Sequence, residues 1–307
     1  MFSGQLIFET ILNGVQFGVF LFLISAGLTL VFGIMNMVNL AHGSMFMMGA
    51  YIGSYIFQQT GSFALAVVVA IPFSLVLGIV LEYLALRTLY ARDHLDQVLA
   101  TFGFILFFNQ LVLRVFGATS QEFRLPDAIN FPMPLFGFTY PCYRLIVIVV
   151  GLAVALGLYL VIAKTRMGML IRARASNRPM VGALGVNIRL LFTLIFGMGA
   201  ALAGLAGVMI GPIESVESGM GESKLILAFV VIVIGGIGSI RGAFIASLVV
   251  GVVEVFGRVY MKDILRLFLP EEFAQTAGPA LASMSIYILM AAVLYFRPQG
   301  LFPARTG

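Results

Sequence analysis

The chain has 307 residues, 61% of them hydrophobic and only 10% charged, with a net charge of +5. Soluble proteins carry about 25% charged residues, so this composition leaves too little polar surface for a water-facing globule and places most of the chain in a lipid bilayer. One cysteine, Cys142, and two histidines, His42 and His94, exclude a disulfide framework and a Cys/His zinc cluster, and the small charge excess gives no basis for nucleic-acid binding.

Between Glu9 and Glu82 lie 72 residues without Asp, Glu, Lys or Arg. As helix, at about 1.5 Å per residue, this run reaches about 108 Å and must cross a hydrocarbon core about 30 Å thick some three times. Polar and glycine residues break it at 34–44 (I-M-N-M-V-N-L-A-H-G-S) and 58–62 (Q-Q-T-G-S). Spans are predicted near 10–33, 40–57, 63–86, 97–113, 145–163, 190–212, 225–240, 242–260 and 277–296. The fold class is therefore an all-α polytopic membrane protein of eight or nine transmembrane helices. The 225–240 run is short and reads either as a span or as a re-entrant or broken element.

No Lys or Arg precedes Arg87, so the start lacks the basic region of a cleavable signal peptide. With the N-terminus outside, eleven Lys and Arg fall on the cytoplasmic side and seven outside, which sets the direction by the positive-inside rule and puts the C-terminus in the cytoplasm. The whole chain, 1–307, reads as one transmembrane domain with two long loops. Residues 114–144, external in this scheme, contain Pro126, Pro132, Pro134 and Pro141, a spacing that argues against a regular helix. Residues 164–189 form the main cytoplasmic loop and carry six basic and no acidic side chains.

The chain has no G-x-x-x-x-G-K-[ST] phosphate loop: its three lysines, Lys164, Lys224 and Lys262, do not follow a glycine. Any ATP use must come from a partner. A hydrolytic site has little support either, since His42 is the one histidine near a span. The chain reads as a transport subunit and not an enzyme.

Three segments are informative. The loop 164–191 reads K-T-R-M-G-M-L-I-R-A-R-A-S-N-R-P-M-V-G-A-L-G-V-N-I-R-L-L, with a short helical stretch after Gly168 and a glycine turn at Gly185. It is either a basic loop that only fixes topology or an element shaped to dock into a cytoplasmic protein. The stretch 34–51 places Asn36, Asn39, His42, Gly43 and Ser44 among Met, Leu and Ala. Polar side chains and unwound backbone at membrane depth survive where protein or an aqueous cavity surrounds them, so this is an interfacial turn, a part of the translocation path or its gate. The third segment, 211–224 (G-P-I-E-S-V-E-S-G-M-G-E-S-K), resembles that break, with Glu214 and Glu217 at an external mouth or in a solvated acidic loop. The G-x-x-x-G pairs Gly14/Gly18, Gly49/Gly53, Gly207/Gly211 and Gly238/Gly242 point to tight helix packing, and G-G-I-G-S-I-R-G-A at 235–243 to a sharp turn between helices.

Three stretches, G-I-M-N-M-V-N-L-A-H-G-S-M-F-M-M-G-A-Y at 33–51, T-R-M-G with R-A-R-A and G-V-N at 165–187, and V-I-G-G-I-G-S-I-R-G-A at 233–243, carry a resemblance over nearly the full length. The chain resembles the membrane permease subunits of branched-chain amino-acid ABC importers, of the LivH type. The resemblance implies pairing with a second, similar permease, with two cytoplasmic ATPases that bind ATP and Mg, and with a periplasmic solute-binding protein. This chain would sit among inner-membrane lipid and bind no cofactor or metal itself. It also implies that 164–189 holds a coupling helix, with Arg166, Gly168, Arg172, Ala173, Ala175, Gly185 and Asn187 matching the coupling loop. Asn39, Ala41, His42 and Gly43 match the N-terminal signature. The family usually has an acid after the alanine pair, where this chain has Ser176-Asn177-Arg178. Related permeases import urea, amides or aromatic acids, and the resemblance does not choose among these substrates. The alternative from another class is an ion-gradient-driven secondary transporter, for which Glu82 and Glu254, both near predicted helix ends, are the candidate ionisable groups.

Overall fold

The computed structural model describes residues 4–135, 138–176 and 187–302, with the side chains of 172–176 outside that description. The charge-free runs fold as helices because a backbone in hydrocarbon must satisfy its polar groups within the segment. Among the described residues the helices are α1 (Gly4–Met35), α2 (His42–Thr60), α3 (Phe63–Leu89), α4 (His94–Phe116), α5 (Cys142–Lys164), α6 (Arg166–Ser176), α7 (Ile188–Ile210), α8 (Met220–Gly235), α9 (Ile240–Leu265) and α10 (Glu271–Phe296). Seven of them, α1, α3, α4, α5, α7, α9 and α10, are long and apolar enough to cross a membrane. Of the other three, α2 starts at the polar break 34–44, α8 starts in the polar segment 211–224, and α6 follows α5 directly.

α1 and α7 form the buried centre, whereas α5 and α10 leave most of their apolar surface exposed, as helices facing lipid do. Glycines set how closely the central helices approach. Gly14 and Gly18 lie on the α9 backbone at Val252 and at Ser247 and Leu248, and Gly49 of α2 lies on Gly204 of α7. A side chain at any of these would meet main-chain atoms, which gives three of the G-x-x-x-G glycines a physical reason.

The stretch between α4 and α5 spans 117–141 and carries an antiparallel hairpin, β1 (Pro132–Leu135) paired with β2 (Phe138–Pro141). The prolines exclude helix there but leave short edge strands allowed, so the spacing did not announce the hairpin. This end of the bundle is sealed by Phe123, which stacks on Phe57 and Phe63, and by Tyr143, whose hydroxyl donates to the Met209 carbonyl at 2.6 Å.

The order α1-α2-α3 repeats as α7-α8-α9, upside down. α1 runs from the hairpin end, where Asn13 accepts from Tyr140 at 2.9 Å, to the opposite end, where Gly33 meets Gly238. α7 runs the other way, and the two cross where Gly27 and Gly199 touch. α2 then leads back to the hairpin end, its Ser54 donating to Glu122 O at 3.2 Å, while α8 leads to the opposite end, where the Gly235 carbonyl accepts from Phe302 N at 3.0 Å. Each short helix closes on a glycine of positive φ (Gly61 at 68°, Gly236 at 102°), and a serine caps the helix that follows: Ser62 accepts from Leu65 N of α3 and Ser239 from Gly242 N of α9. Two inverted copies of one motif account for the likeness between the breaks at 34–44 and 211–224.

Glu254 does not lie near a helix end. It sits midway along α9, buried and paired with Arg258 at 2.7 Å, and α9 continues past the apolar run to Leu265.

Candidate functional site at the meeting of two short helices

α1 stops because Asn36 adopts the left-handed conformation, φ 53°, a state asparagine tolerates better than most side chains. The following residues do not continue outward; they fold back along α1. His42 ends up beside Ile24, where its Nε2 donates to the Ile24 carbonyl at 3.1 Å. The imidazole occupies room left by Gly27: a Cβ there would lie 2.9 Å from the ring. α2 therefore begins within the bundle, with His42, Gly43 and Ser44 all buried.

α8 begins at the same place from the other side. A Cβ on Gly43 would come within 2.5 Å of the Gly221 carbonyl oxygen, and one on Gly221 would strike the Gly43 carbonyl in return. The N-termini of both short helices thus meet, and these ends carry the positive pole of the helix dipole. Beside the contact is a narrow crevice, too tight to hold a water molecule, lined by Leu40, Gly43, Ser44 and Met47, by Ile105 and Asn109 of α4, and by Gly221 and Glu222 of α8. Asn109 donates to Glu222 at 2.5 Å, so the crevice wall is polar on the α4 side.

The predicted path residues thus divide. Gly43 and Ser44 line the crevice, His42 pins the return segment to α1, and Asn36, which is exposed, ends α1. Asn39 is fully buried, and neither its amide nitrogen nor its oxygen has a partner among the described residues. Glu214 pairs at 2.7 Å with Lys224 of α8, whose ammonium lies over the rings of Phe17 and Phe20. The exposed Glu217 offers its backbone carbonyl to Met220 N. Sequence reasoning missed Asn109, Gly221 and Lys224. An asparagine inside the apolar run 97–113 was the available signal for the first.

In the segment 164–189, Thr165 caps α6, accepting from Gly168 N at 3.2 Å. α6 folds back so tightly on α5 that a Cβ on Gly168 would strike the Ile162 backbone, which explains the glycine of T-R-M-G. Arg166 opens α6 and is exposed, and Ile171 buries the helix's inner face. Arg172, Ala173 and Ala175 belong to α6, with their side chains outside the described residues, and Gly185 lies outside them altogether. Asn187 caps α7, its side chain accepting from Leu190 N at 3.1 Å.

The family profile described as "Branched-chain amino acid transport system / permease component" matches residues 10–294. The high-affinity branched-chain amino acid transport system permease protein BraD of Pseudomonas aeruginosa is 30% identical, over 95% of this chain and 94% of its own. LivH of Escherichia coli K12, a permease protein of the same description, is 30% identical over 83% of this chain and 87% of its own. A probable branched-chain amino acid transport permease protein LivH of Methanocaldococcus jannaschii is 26% identical over 92% of this chain and 88% of its own. No solved structure matches. With a profile covering most of its length and seven apolar helices beneath it, this multi-pass membrane chain belongs to the family of permease components of branched-chain amino acid transport systems.

Proposed function

We propose that the chain is the membrane-spanning permease subunit of a binding-protein-dependent ABC importer. It moves branched-chain amino acids, or a related small polar solute, across the inner membrane on ATP hydrolysed by two partner ATPases. A second permease and a periplasmic solute-binding protein complete the assembly, and the chain itself binds no cofactor. Its likeness to branched-chain amino acid transport permeases supports the substrate class.

One observation carries the translocation reading: the N-termini of α2 and α8 meet inside the bundle at Gly43 and Gly221, beside a crevice. Broken helices of two inverted repeats, meeting within the membrane, are the arrangement in which transporters bind and pass solutes. In this reading Ser44, Asn109 and the two helix ends line the path, while Asn36, Asn39 and His42 shape its gate. Glu214 and Glu217 lie toward the outer mouth. Positive-inside counting places the N-terminus and 117–141 outside, and the C-terminus and 164–189 in the cytoplasm. The ATPases grip the 164–189 segment, and their closure shifts the helices between outward- and inward-facing states through differential binding.

Purification of the tagged chain from native membranes in mild detergent, followed by mass spectrometry, tests this. Two P-loop ATPases and a second permease should accompany it; a chain that emerges alone and folded overturns the reading. Arg172→Glu, or a bulky residue at Gly185, should leave insertion intact and uncouple hydrolysis from uptake.

A further inference from the structure

α3 does not stop at the end of its apolar run. It widens into a π turn over Glu82–Leu86 and continues to Leu89. Such turns disturb the regular ladder and recur at working parts of proteins. Glu82, the first residue of the turn, is wholly buried, a costly place for a carboxylate unless its oxygens are filled. They are filled from two helices. From its own helix, Arg87 Nη2 lies 3.3 Å away, and from the turn just after that helix the Tyr90 hydroxyl donates at 2.6 Å. From α7, the Thr193 hydroxyl lies 2.7 Å from Glu82 Oε2 and accepts from Arg87 Nη2 at 3.0 Å. The Tyr90 ring also meets Phe192 edge-on at 5.1 Å. The cluster therefore fastens the end of α3 to the first turns of α7.

That place matters for where α7 comes from and goes to. α7 follows directly on the 164–189 segment, and further along it Gly199 touches Gly27, whose missing side chain leaves room for His42, and Gly204 touches Gly49 of α2. A push delivered at the start of α7 reaches α1 and α2 through these contacts, and fixing that end to α3 makes the two helices move together. We infer that Glu82 is a positioning residue for energy coupling, clamping α3 to α7 so that they carry motion from the 164–189 segment to α2 as one body. This inference rests on the importer reading above.

The test uses the complete transporter in proteoliposomes, measuring ATP hydrolysis and solute uptake together for Glu82→Gln and Thr193→Val, with Thr193→Ser as the conservative control. The clamp predicts that both variants assemble and keep at least half of the hydrolysis, while solute moved per ATP falls roughly five-fold or more; Thr193→Ser keeps the wild-type ratio. Uptake and hydrolysis lost in proportion, or an unchanged ratio, overturns it. Hydrogen exchange on the permease in detergent reads the clamp without ATP. Glu82→Gln should speed exchange at 82–90 and 188–193 together and leave the hairpin end unchanged. Unchanged exchange at both segments overturns the clamp even if ATP drives uptake, whereas uptake without ATP dependence but with the coupled exchange sinks only the importer reading.

Discussion

Gly43 and Gly221 touch backbone to backbone, each occupying the space that the other's side chain would need. The two residues belong to inverted copies of one motif, and their contact fixes where both short helices begin. Added bulk at either position has only main chain to push against.

Gly43→Val or Gly221→Val should accordingly lower the stability of the detergent-solubilised protein by about 1–3 kcal/mol, the range for overpacking, and abolish uptake. Gly103→Ala is the control: nothing lies within 4 Å of a Cβ there, so it should be neutral or slightly stabilising. Thermal unfolding and uptake by the same preparations check both.

His42 and Gly27 should act as a pair. His42→Ala leaves the Ile24 carbonyl without its side-chain partner and should cost about 1–3 kcal/mol, while Gly27→Ala would press on the ring. Combined, the two should cost about 1 kcal/mol less than their sum, because removing the imidazole frees room for the new methyl. A double-mutant cycle of denaturation measures this; strict additivity would mean the contact is not formed.

The ion pair between Lys224 and Glu214 is asymmetric. The lysine side chain is 11% exposed and the carboxylate 37%, so the lysine depends more on its partner. Glu214→Gln, which strands the buried cation, should therefore destabilise more than Lys224→Met, by about 1 kcal/mol, and the double variant should recover part of the loss. Thermal melts of the three variants decide it.

Gly168→Ala tests the turn between α5 and α6. The methyl would meet the Ile162 backbone and displace α6, so uptake should fall at least ten-fold while partner subunits still co-purify. Loss of the partners along with uptake would mean that α6 serves assembly instead.

Tyr90 lies just beyond the α3 span. Burial, reinforced by its bond to Glu82, pushes the phenol above its usual range, so it stays a donor throughout the physiological range. Uptake should show no titration of this group up to pH 9, and Tyr90→Phe should weaken coupling equally at pH 6 and pH 9.

Much of this architecture was legible in the sequence because charge-free runs can do little in lipid except form helices. Both polar breaks lie where residue types alone place them, whereas the short helix expected after Gly168 begins two residues earlier, at Arg166, because Thr165 caps it. What stayed hidden depended on contacts far apart in the chain. α8 starts at Met220, five residues before the apolar run, because its first turn rests on Gly43 rather than on lipid, and this moves Lys224 from a loop into a helix. Glu254 looked terminal because the apolar run ends at 257, although α9 runs on to Leu265 with Arg258 paired back to Glu254. Glu82 read as a helix-end acid, and its partner Thr193 stands 111 positions away. The site was legible as polar residues without a layout: nothing in 34–51 alone tells that Gly43 and Ser44 face a crevice while His42 turns to α1.

The most direct test of the central claim is leucine uptake into proteoliposomes holding the chain with its co-purified ATPases and second permease, supplied with the binding protein. Uptake that requires ATP inside the partners' compartment, persists with an uncoupler and disappears in Gly43→Val is the predicted result. Uptake by the chain alone that ignores ATP and collapses with the uncoupler would contradict it and make the chain a gradient-driven carrier.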